Sequence, residues 1–284
     1  MISRLINLPS VNASIQSQTA RMSTSKLSGS AALNSKLLSK HEINCDMGEG
    51  FGRYQIAPDD EIMPFIDRAN IACGFHAGDY NIMLKTVQTA KKYGVKCGSH
   101  PGLPDMIGFG RRPWSIPPEE IYKLILYQTG ALKAFLDAEG VELSHVKPHG
   151  ELYFYIERDE AVMRAALKAI KTFGVPVVGA KNAHYEKIAK EEGVDFIQEL
   201  YVDCDYDAKG ALVPPAKSRP KNPDVIHDAI YVAGSTDTIT DQNDNKMDLH
   251  FEKNPISVCL HSDMPNSLNN VKKAREAIDK LNNL

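Results

Sequence analysis

The stretch LSHVKPHGELY, residues 143–153, joins a short apolar run to three polar residues spaced two apart, Lys147, His149 and Glu151. Side chains two positions apart on an extended strand point to the same side. A proline and a glycine stand between the polar residues and favour a tight turn where the strand ends. The stretch therefore predicts a buried strand that presents Lys147 and His149 to one pocket.

The same arrangement recurs along the chain, with an apolar run followed by a polar residue and then by glycine or proline. The polar residues of these segments are Asp46 and Glu49, then Asn70, His76 and Asp79, then His100 and Asp105, then Lys147 and His149, and finally His261 and Asp263. The carboxyl ends of the strands in a parallel barrel open on one face, which carries the chemistry. A single histidine there would be a hydrogen-bonded structural residue, but the set predicts a functional pocket.

Short β-branched runs alternate with helical patterns from residue 42 onward. The predicted strands are EINCDM, RANIAC, VKCGS, LSHVK, PVVGA, VDFIQEL and ISVCL, and the predicted helices span 80–93, 117–139, 159–173, 182–192, 222–233 and 267–283. Alternating strands and helices indicate parallel β/α units, so the fold class is α/β. Seven strands favour a TIM-like barrel with one strand fewer than usual, and an open doubly wound sheet is the competing architecture. The rest of 207–254 reads as loops.

Charge and composition narrow the class of protein. The formal net charge is −3 and no long basic stripe occurs, which argues against nucleic acid as a partner. No apolar run approaches the roughly 18 residues that a membrane helix needs. The five cysteines form no C-x-x-C pair, so they predict buried, reduced thiols in an intracellular protein.

The first 41 residues differ from the rest of the chain. They contain five basic residues and many serines, and the first acidic residue is Glu42. This composition is typical of a disordered leader or of a mitochondrial transit peptide. We therefore expect a single domain over 42–284, in the cytoplasm or the mitochondrial matrix.

The residue types at the strand ends suggest hydrolytic chemistry. Carboxylates beside neutral imidazoles can activate water, and a lysine can stabilise an oxyanion or bind a phosphate. Neither a nucleophilic serine elbow nor a Walker A motif occurs. Arg111 and Arg112 can bind a carboxylate or phosphate, or simply belong to a solvated loop. A divalent metal held by Asp46, His76 and His100 is an alternative, although no H-E-x-x-H motif supports it.

Five motifs together resemble the LamB/YcsF family, which includes the A subunit of 5-oxoprolinase and fungal lactam-utilisation proteins. They are NCDMGEGFG, ANIACGFHAGD, GSHPGLPDMIGFGRR, YQTGAL and VKPHGELY, and the resemblance extends over roughly residues 42–264. It implies a distorted (β/α) barrel related to the glycoside hydrolase/deacetylase superfamily. It also implies opening of the lactam 5-oxoproline to L-glutamate, coupled to ATP hydrolysis, with partner subunits.

The resemblance suggests a role for each strand-end residue. We expect Asp46 or His149 to orient or deprotonate water and Lys147 to neutralise charge on the lactam oxygen. The residues expected to bind substrate are Glu49, Asn70, His76, His100, Arg111, Arg112 and Asp263. A small cyclic amide is then the substrate, neither nucleic acid nor membrane is a partner, and a homo-oligomer stays open.

The C-terminal part departs from the family pattern. Two arginines that family members commonly carry are replaced by Cys204 and Pro215, and a glycine is replaced by Ser262. The chain then has two fewer groups that bind anions, so the resemblance does not fix the substrate or the coupling to ATP. Two other functions therefore stay open: a metal-dependent deacetylase or amidohydrolase on the same barrel, and a non-catalytic subunit that binds a lactam.

Overall fold

Seven parallel strands form a closed barrel in the computed structural model, which describes residues 37–252 and 254–284. The barrel strands are β1 (Glu42–Met47), β2 (Arg68–Ala72), β3 (Lys96–His100), β4 (Leu143–Val146), β5 (Val177–Ala180), β6 (Phe196–Tyr201) and β9 (Ser257–His261). They follow one another around the barrel in this order, and β9 pairs with both β6 and β1. The predicted (β/α)7 barrel is confirmed, and the open sheet is wrong because β9 joins the two edges that an open sheet would leave free.

Helices lie between most of the strands, as the alternating pattern predicts. They are α1 (Asp59–Ile62), α2 (Tyr80–Tyr93), α3 (Pro118–Glu139), α4 (Gly150–Arg158), α5 (Glu160–Lys171), α6 (Ala183–Glu192), α7 (Pro223–Thr236) and α8 (Ser267–Asn282). Two 3-10 helices span Met63–Phe65 and Pro215–Lys217. None of the described helices combines the length and the apolar character needed to span a membrane.

Strand alternation separates an apolar outer face of the barrel from a polar interior. In β1, Ile43, Cys45 and Met47 belong to the hydrophobic core. Asn44, between them, donates hydrogen bonds to Ser257 and Glu199 across the barrel. In β1, apolar residues therefore pack against the core outside the barrel, while the residue between them delivers a polar group to the interior.

Helix α1, helix α4 and one small sheet are three parts of the described structure that the sequence-based expectations lack. Helix α4 follows β4 directly and is absent from the predicted elements. Residues 238–240 and 246–248, expected to be loops, form a two-stranded antiparallel sheet, β7–β8. All three are short, and neither helix starts with a side-chain cap, so none has a strong local signal.

The predicted leader lies largely outside the described residues, which begin at residue 37. Leu38 is buried against Val178 and Ile197. The His41 backbone N–H donates a hydrogen bond to Asn282 at 2.9 Å. The packed body therefore includes residues 37–41, which the composition assigns to the leader. All five cysteines are buried and free, as predicted.

Glu157 in α4 gives a prediction for stability. Burial, and secondarily the charge of Glu199, raise the pKa of Glu157 from 4.5 to about 7. The folded state therefore holds a proton that the unfolded state has released, and stability falls as the pH rises from 4.5 through 7. We expect Glu157→Gln to remove this loss and to raise the free energy of unfolding at pH 8 by about 1–3 kcal/mol.

The check is urea unfolding of both proteins at pH 4 and pH 8. Glu142, an exposed residue, gives the matched control as Glu142→Gln. The gain at pH 8 should be present for Glu157→Gln only and should shrink toward zero at pH 4. An equal gain at both pH values would contradict the electrostatic cause.

Candidate active site

The carboxyl ends of the barrel strands bring the predicted polar residues together. Pairing of β1 with β2 sets Asp46 opposite Asn70, and pairing of β1 with β9 sets Asp46 opposite His261. His100 ends β3 and Lys147 directly follows β4. The parallel register therefore places side chains that are distant in sequence on one face of the barrel.

Asp46 and Lys147 form a buried ion pair at this face. Lys147 Nζ lies 2.8 Å from Asp46 Oδ1. Lys147 is 1% exposed and Asp46 is 2% exposed. Burial disfavours both charges, but the attraction between the neighbouring charged groups outweighs that cost. His100 and Lys147 hold the pKa of Asp46 well below its usual value, and Asp46, Cys259 and Glu199 hold the pKa of Lys147 well above its own. Both groups therefore stay charged.

The two oxygens of Asp46 have different surroundings. Oδ1 accepts hydrogen bonds from Lys147 and from Asn70 Nδ2, each at 2.8 Å. Oδ2 lies 3.3 Å from His100 Nε2 and 3.9 Å from His261 Nε2. Oδ1 is therefore fixed by hydrogen bonds inside the barrel, whereas Oδ2 faces two imidazole nitrogens.

His261 is oriented by Asp203, a residue that the sequence reasoning missed. The His261 ring Nδ1 lies 3.1 Å from Asp203, and its backbone N–H donates to the same carboxylate at 2.6 Å. Burial lowers the pKa of His261, but Asp203 overrides it, and the pKa is well above the usual value. His261 is therefore cationic and turns its Nε2 toward Asp46.

A second group of buried side chains comprises Glu49, His76, His100 and His149. Glu49 Oε1 lies 3.1 Å from His76 Nε2 and 3.4 Å from His149 Nδ1. Burial and the nearby charges of Asp46 and Asp263 raise the pKa of Glu49 well above its usual value. Burial lowers the pKa of both His76 and His149 far below the usual value.

Gly102, in the loop after β3, leaves room for the buried His76 ring. A Cβ atom on Gly102 would lie 2.4 Å from His76 Nδ1, closer than two such atoms can approach. The His76 ring stacks on His149 with 3.6 Å between ring centroids and 4° between planes. The motif GSHPG thus gives the backbone the close approach that the buried rings require.

A cavity of about 370 Å³ opens above Asp46 and Lys147. Its buried lining residues include Asp46, His100, Lys147, His149, Tyr201 and His261, and its more exposed ones include Arg111, Pro215 and Lys217. This volume suits a small molecule. Pro215 therefore lies at the cavity, and Lys217 stands two residues further on.

Several residues predicted to bind substrate lie elsewhere. Glu49, Asn70 and His76 are buried outside the lining of the cavity. Arg111 lines the cavity, but Asp263 holds it through two hydrogen bonds, of 2.7 and 3.1 Å. Arg112 is largely exposed and pairs with Asp105, away from the cavity. Asp79 accepts from the first backbone N–H groups of α2 and is a helix cap.

The predicted metal ligands are divided between two groups. His76 and His100 lie with Glu49 and His149, whereas Asp46 belongs to a group with Cys259 and His261. Sequence reasoning also missed His145 and Glu199. His145 Nε2 contacts Asn70 Oδ1 at 2.7 Å, and Glu199 lies 3.7 Å from Lys147. His145 stands two residues before Lys147, so strand alternation was the signal that could have found it.

The fold and the site define a class: a (β/α) barrel protein with a buried, charged polar site at the carboxyl ends of its strands. The sequence profile described as "LamB/YcsF family" matches residues 41–283. The chain belongs to the LamB/YcsF family.

Similar proteins agree with this assignment. The lactam utilization protein lamB of Emericella nidulans is 42% identical over 240 residues, which cover 84% of this chain and 94% of that protein. The A subunit of 5-oxoprolinase from Vibrio vulnificus (strain CMCP6) is 39% identical over 247 residues, covering 84% and 97%. The crystal structure of the lactam utilization protein from Thermus thermophilus superimposes with a TM-score of 0.78 at 36% identity, covering 85% and 96%.

Proposed function

We propose that this chain opens the lactam 5-oxoproline to L-glutamate in an ATP-dependent reaction, together with partner subunits. The observation that carries the proposal is the charged Asp46–Lys147 pair lining a cavity of about 370 Å³. The cavity can take a small cyclic amide, and the pair supplies both charges that lactam hydrolysis uses. The names of the relatives, a lactam utilization protein and a 5-oxoprolinase component, support the same substrate class.

A lactam amide is a poor electrophile, which explains the need for ATP. The lactam oxygen attacks the terminal phosphorus, its new P–O bond forms, and ADP leaves. Water then adds to the ring carbon and loses a proton, and the ring C–N bond breaks to leave an amine and an acyl phosphate. A second water releases phosphate and gives glutamate.

Within this reaction, Lys147 neutralises negative charge on the lactam oxygen. Its ammonium is buried and fixed by Asp46, so it is preorganised for a developing anion. Asp46 orients the attacking water through Oδ2, which faces the imidazoles of His100 and His261. A carboxylate held at low pKa is a weak base, so its role is to position water rather than to hold the proton.

His149 is less suited to act on the water. Its Nε2 lies 2.8 Å from the Phe109 carbonyl oxygen and its Nδ1 lies 3.0 Å from His100 Nε2. Each nitrogen thus has a protein neighbour within 3.0 Å. Lys217, whose ammonium forms no ion pair within the described residues, is a candidate to bind the substrate carboxylate in place of the arginine absent at Pro215.

The test is glutamate release from 5-oxoproline by the purified chain, with and without ATP and with and without two bacterial 5-oxoprolinase partner subunits. The proposal expects glutamate only when ATP and the partners are both present. Glutamate formed without ATP and lost to a chelator would replace it with the metal-dependent amidohydrolase. Saturable binding of 5-oxoproline without turnover under every condition would replace it with the lactam-binding subunit.

A further inference from the structure

Two histidines of the buried group face each other through nitrogens neither of which carries a proton while the rings are neutral. His100 Nδ1 lies 2.7 Å from the Lys147 carbonyl oxygen, and His149 Nε2 lies 2.8 Å from the Phe109 carbonyl oxygen. A carbonyl oxygen only accepts, so each of these nitrogens carries the proton. The remaining nitrogens, His100 Nε2 and His149 Nδ1, then present lone pairs to each other across 3.0 Å.

Glu49 brings a carboxylate to the same point. Its Oε1 lies 3.4 Å from His149 Nδ1 and 3.9 Å from His100 Nε2. Its Oε2 is buried and has no hydrogen-bond partner among the described residues. Three groups that can offer electron pairs to a metal ion therefore converge in a region almost closed to solvent.

We infer that Glu49, His100 and His149 form a binding site for a divalent transition metal ion of the zinc class. Two imidazoles and one carboxylate are a ligand set that zinc takes in proteins. The backbone carbonyls that hold the outer nitrogens match the way metal-binding histidines are oriented. Tetrahedral zinc bonds of about 2.0–2.1 Å place ligand atoms about 3.3 Å apart. The three separations here run from 3.0 to 3.9 Å.

His76 belongs to this site as a positioning residue rather than as a ligand. A nitrogen lone pair lies in the plane of its ring, and the His76 and His149 rings are parallel at 3.6 Å. One ion cannot lie in both planes. The His100 and His149 rings meet at 88°, so their planes cross. His76 Nε2 contacts Glu49 Oε1 at 3.1 Å and orients that carboxylate.

The site is reachable from the cavity, because His100 and His149 both line it. The competing explanation is a shared proton: a cationic His100 would donate to His149 Nδ1 or to Asp46 Oδ2, which lies 3.3 Å away. That alternative needs no metal ion and leaves the same contacts in place. The two explanations differ in whether the protein binds zinc at this place.

The test is zinc binding by the full chain after treatment with a chelator and gel filtration. Zn²⁺ is titrated at pH 7.5 against a competing indicator, and the absorption spectrum is read after reconstitution with Co²⁺. We expect one ion per chain with submicromolar affinity. Glu49→Gln and His149→Ala should weaken it by more than about 100-fold, and His76→Ala by about 10–100-fold. His184→Ala, at an exposed histidine on α6, should leave it unchanged.

Thermal unfolding without metal separates folding defects from loss of ligands, and Glu49→Gln keeps the shape of the side chain. Less than a tenth of an equivalent of zinc in the wild-type chain would overturn the inference in favour of the shared proton. Zinc affinity that is unaffected by Glu49→Gln and His149→Ala would overturn it as well. Zinc binding is measured without lactam, ATP or partner subunits, so its outcome is independent of the function proposed above.

Discussion

Replacing Lys147 with methionine is expected to lower the free energy of unfolding by about 3–5 kcal/mol, and to abolish glutamate release. Lys147 is 1% exposed, with its Nζ 2.8 Å from Asp46 and 3.7 Å from Glu199. Methionine has a similar length but no charge, so both carboxylates would remain buried without the ammonium that lies close to them. Removing one partner of a buried pair costs more than the pair itself contributes, because the other charge is left uncompensated.

A charge-matched control separates folding from chemistry. The double variant Asp46→Asn/Lys147→Met removes both members of the pair, and Glu199 keeps a hydrogen bond from the Tyr201 hydroxyl. We expect the double variant to be more stable than Lys147→Met by at least about 1 kcal/mol, and still inactive. Urea unfolding and the glutamate assay give the two readouts. A folded, active Lys147→Met protein would refute the role assigned to this lysine.

Replacing Gly98 with alanine is expected to cost about 3 kcal/mol or more, or to prevent folding. A Cβ atom at Gly98 would lie 2.2 Å from His145 Nε2, inside the contact distance of the two atoms. His145 cannot move aside, because its Nε2 contacts Asn70 at 2.7 Å and its Nδ1 contacts Ser144 at 2.6 Å. The register shift between β3 and β4 at residues 97 and 98 is where this ring enters.

A glycine-to-alanine substitution in a helix should change the stability in the opposite direction. Gly130 lies within α3, and a Cβ there would meet nothing within 4 Å. Alanine favours the helix by up to about 1 kcal/mol relative to glycine. Gly130→Ala should therefore raise the melting temperature while Gly98→Ala lowers it. Equal effects of the two substitutions would show that barrel packing at His145 is not the cause.

Local sequence patterns predicted most of the fold. All seven barrel strands and six of the helices lie within a few residues of the segments read from periodicity. These elements have long or strongly apolar patterns, so their own residues determine them. Helix α4 was missed because Gly150–Arg158 follows a strand without a capping side chain. The β7–β8 pair was missed because two three-residue strands leave little pattern.

The expectation that polar residues at the carboxyl ends of parallel strands share one face located the candidate site. It did not predict which of these side chains pair with each other. It brought Asp46, Lys147, His100 and His261 to one face, as their positions after apolar runs indicate. It did not separate the Asp46–Lys147 pair from the Glu49–histidine group. The separate expectation that Arg112 binds substrate did not foresee that Arg112 pairs with Asp105. These partnerships depend on side-chain directions and loop paths, which no single segment contains.

The sequence by itself determined the alternation of apolar and polar residues in each strand, the polar residues that end the strands, and the family. These follow from local periodicity and from motifs read in order along the chain. Only the tertiary structure decided that the sheet closes, because β9 must pair with β1, near the opposite end of the described chain. Closure also decided the chemistry: it brings Lys147 within 2.8 Å of Asp46 in a solvent-poor interior, and burial there makes the two charges depend on each other.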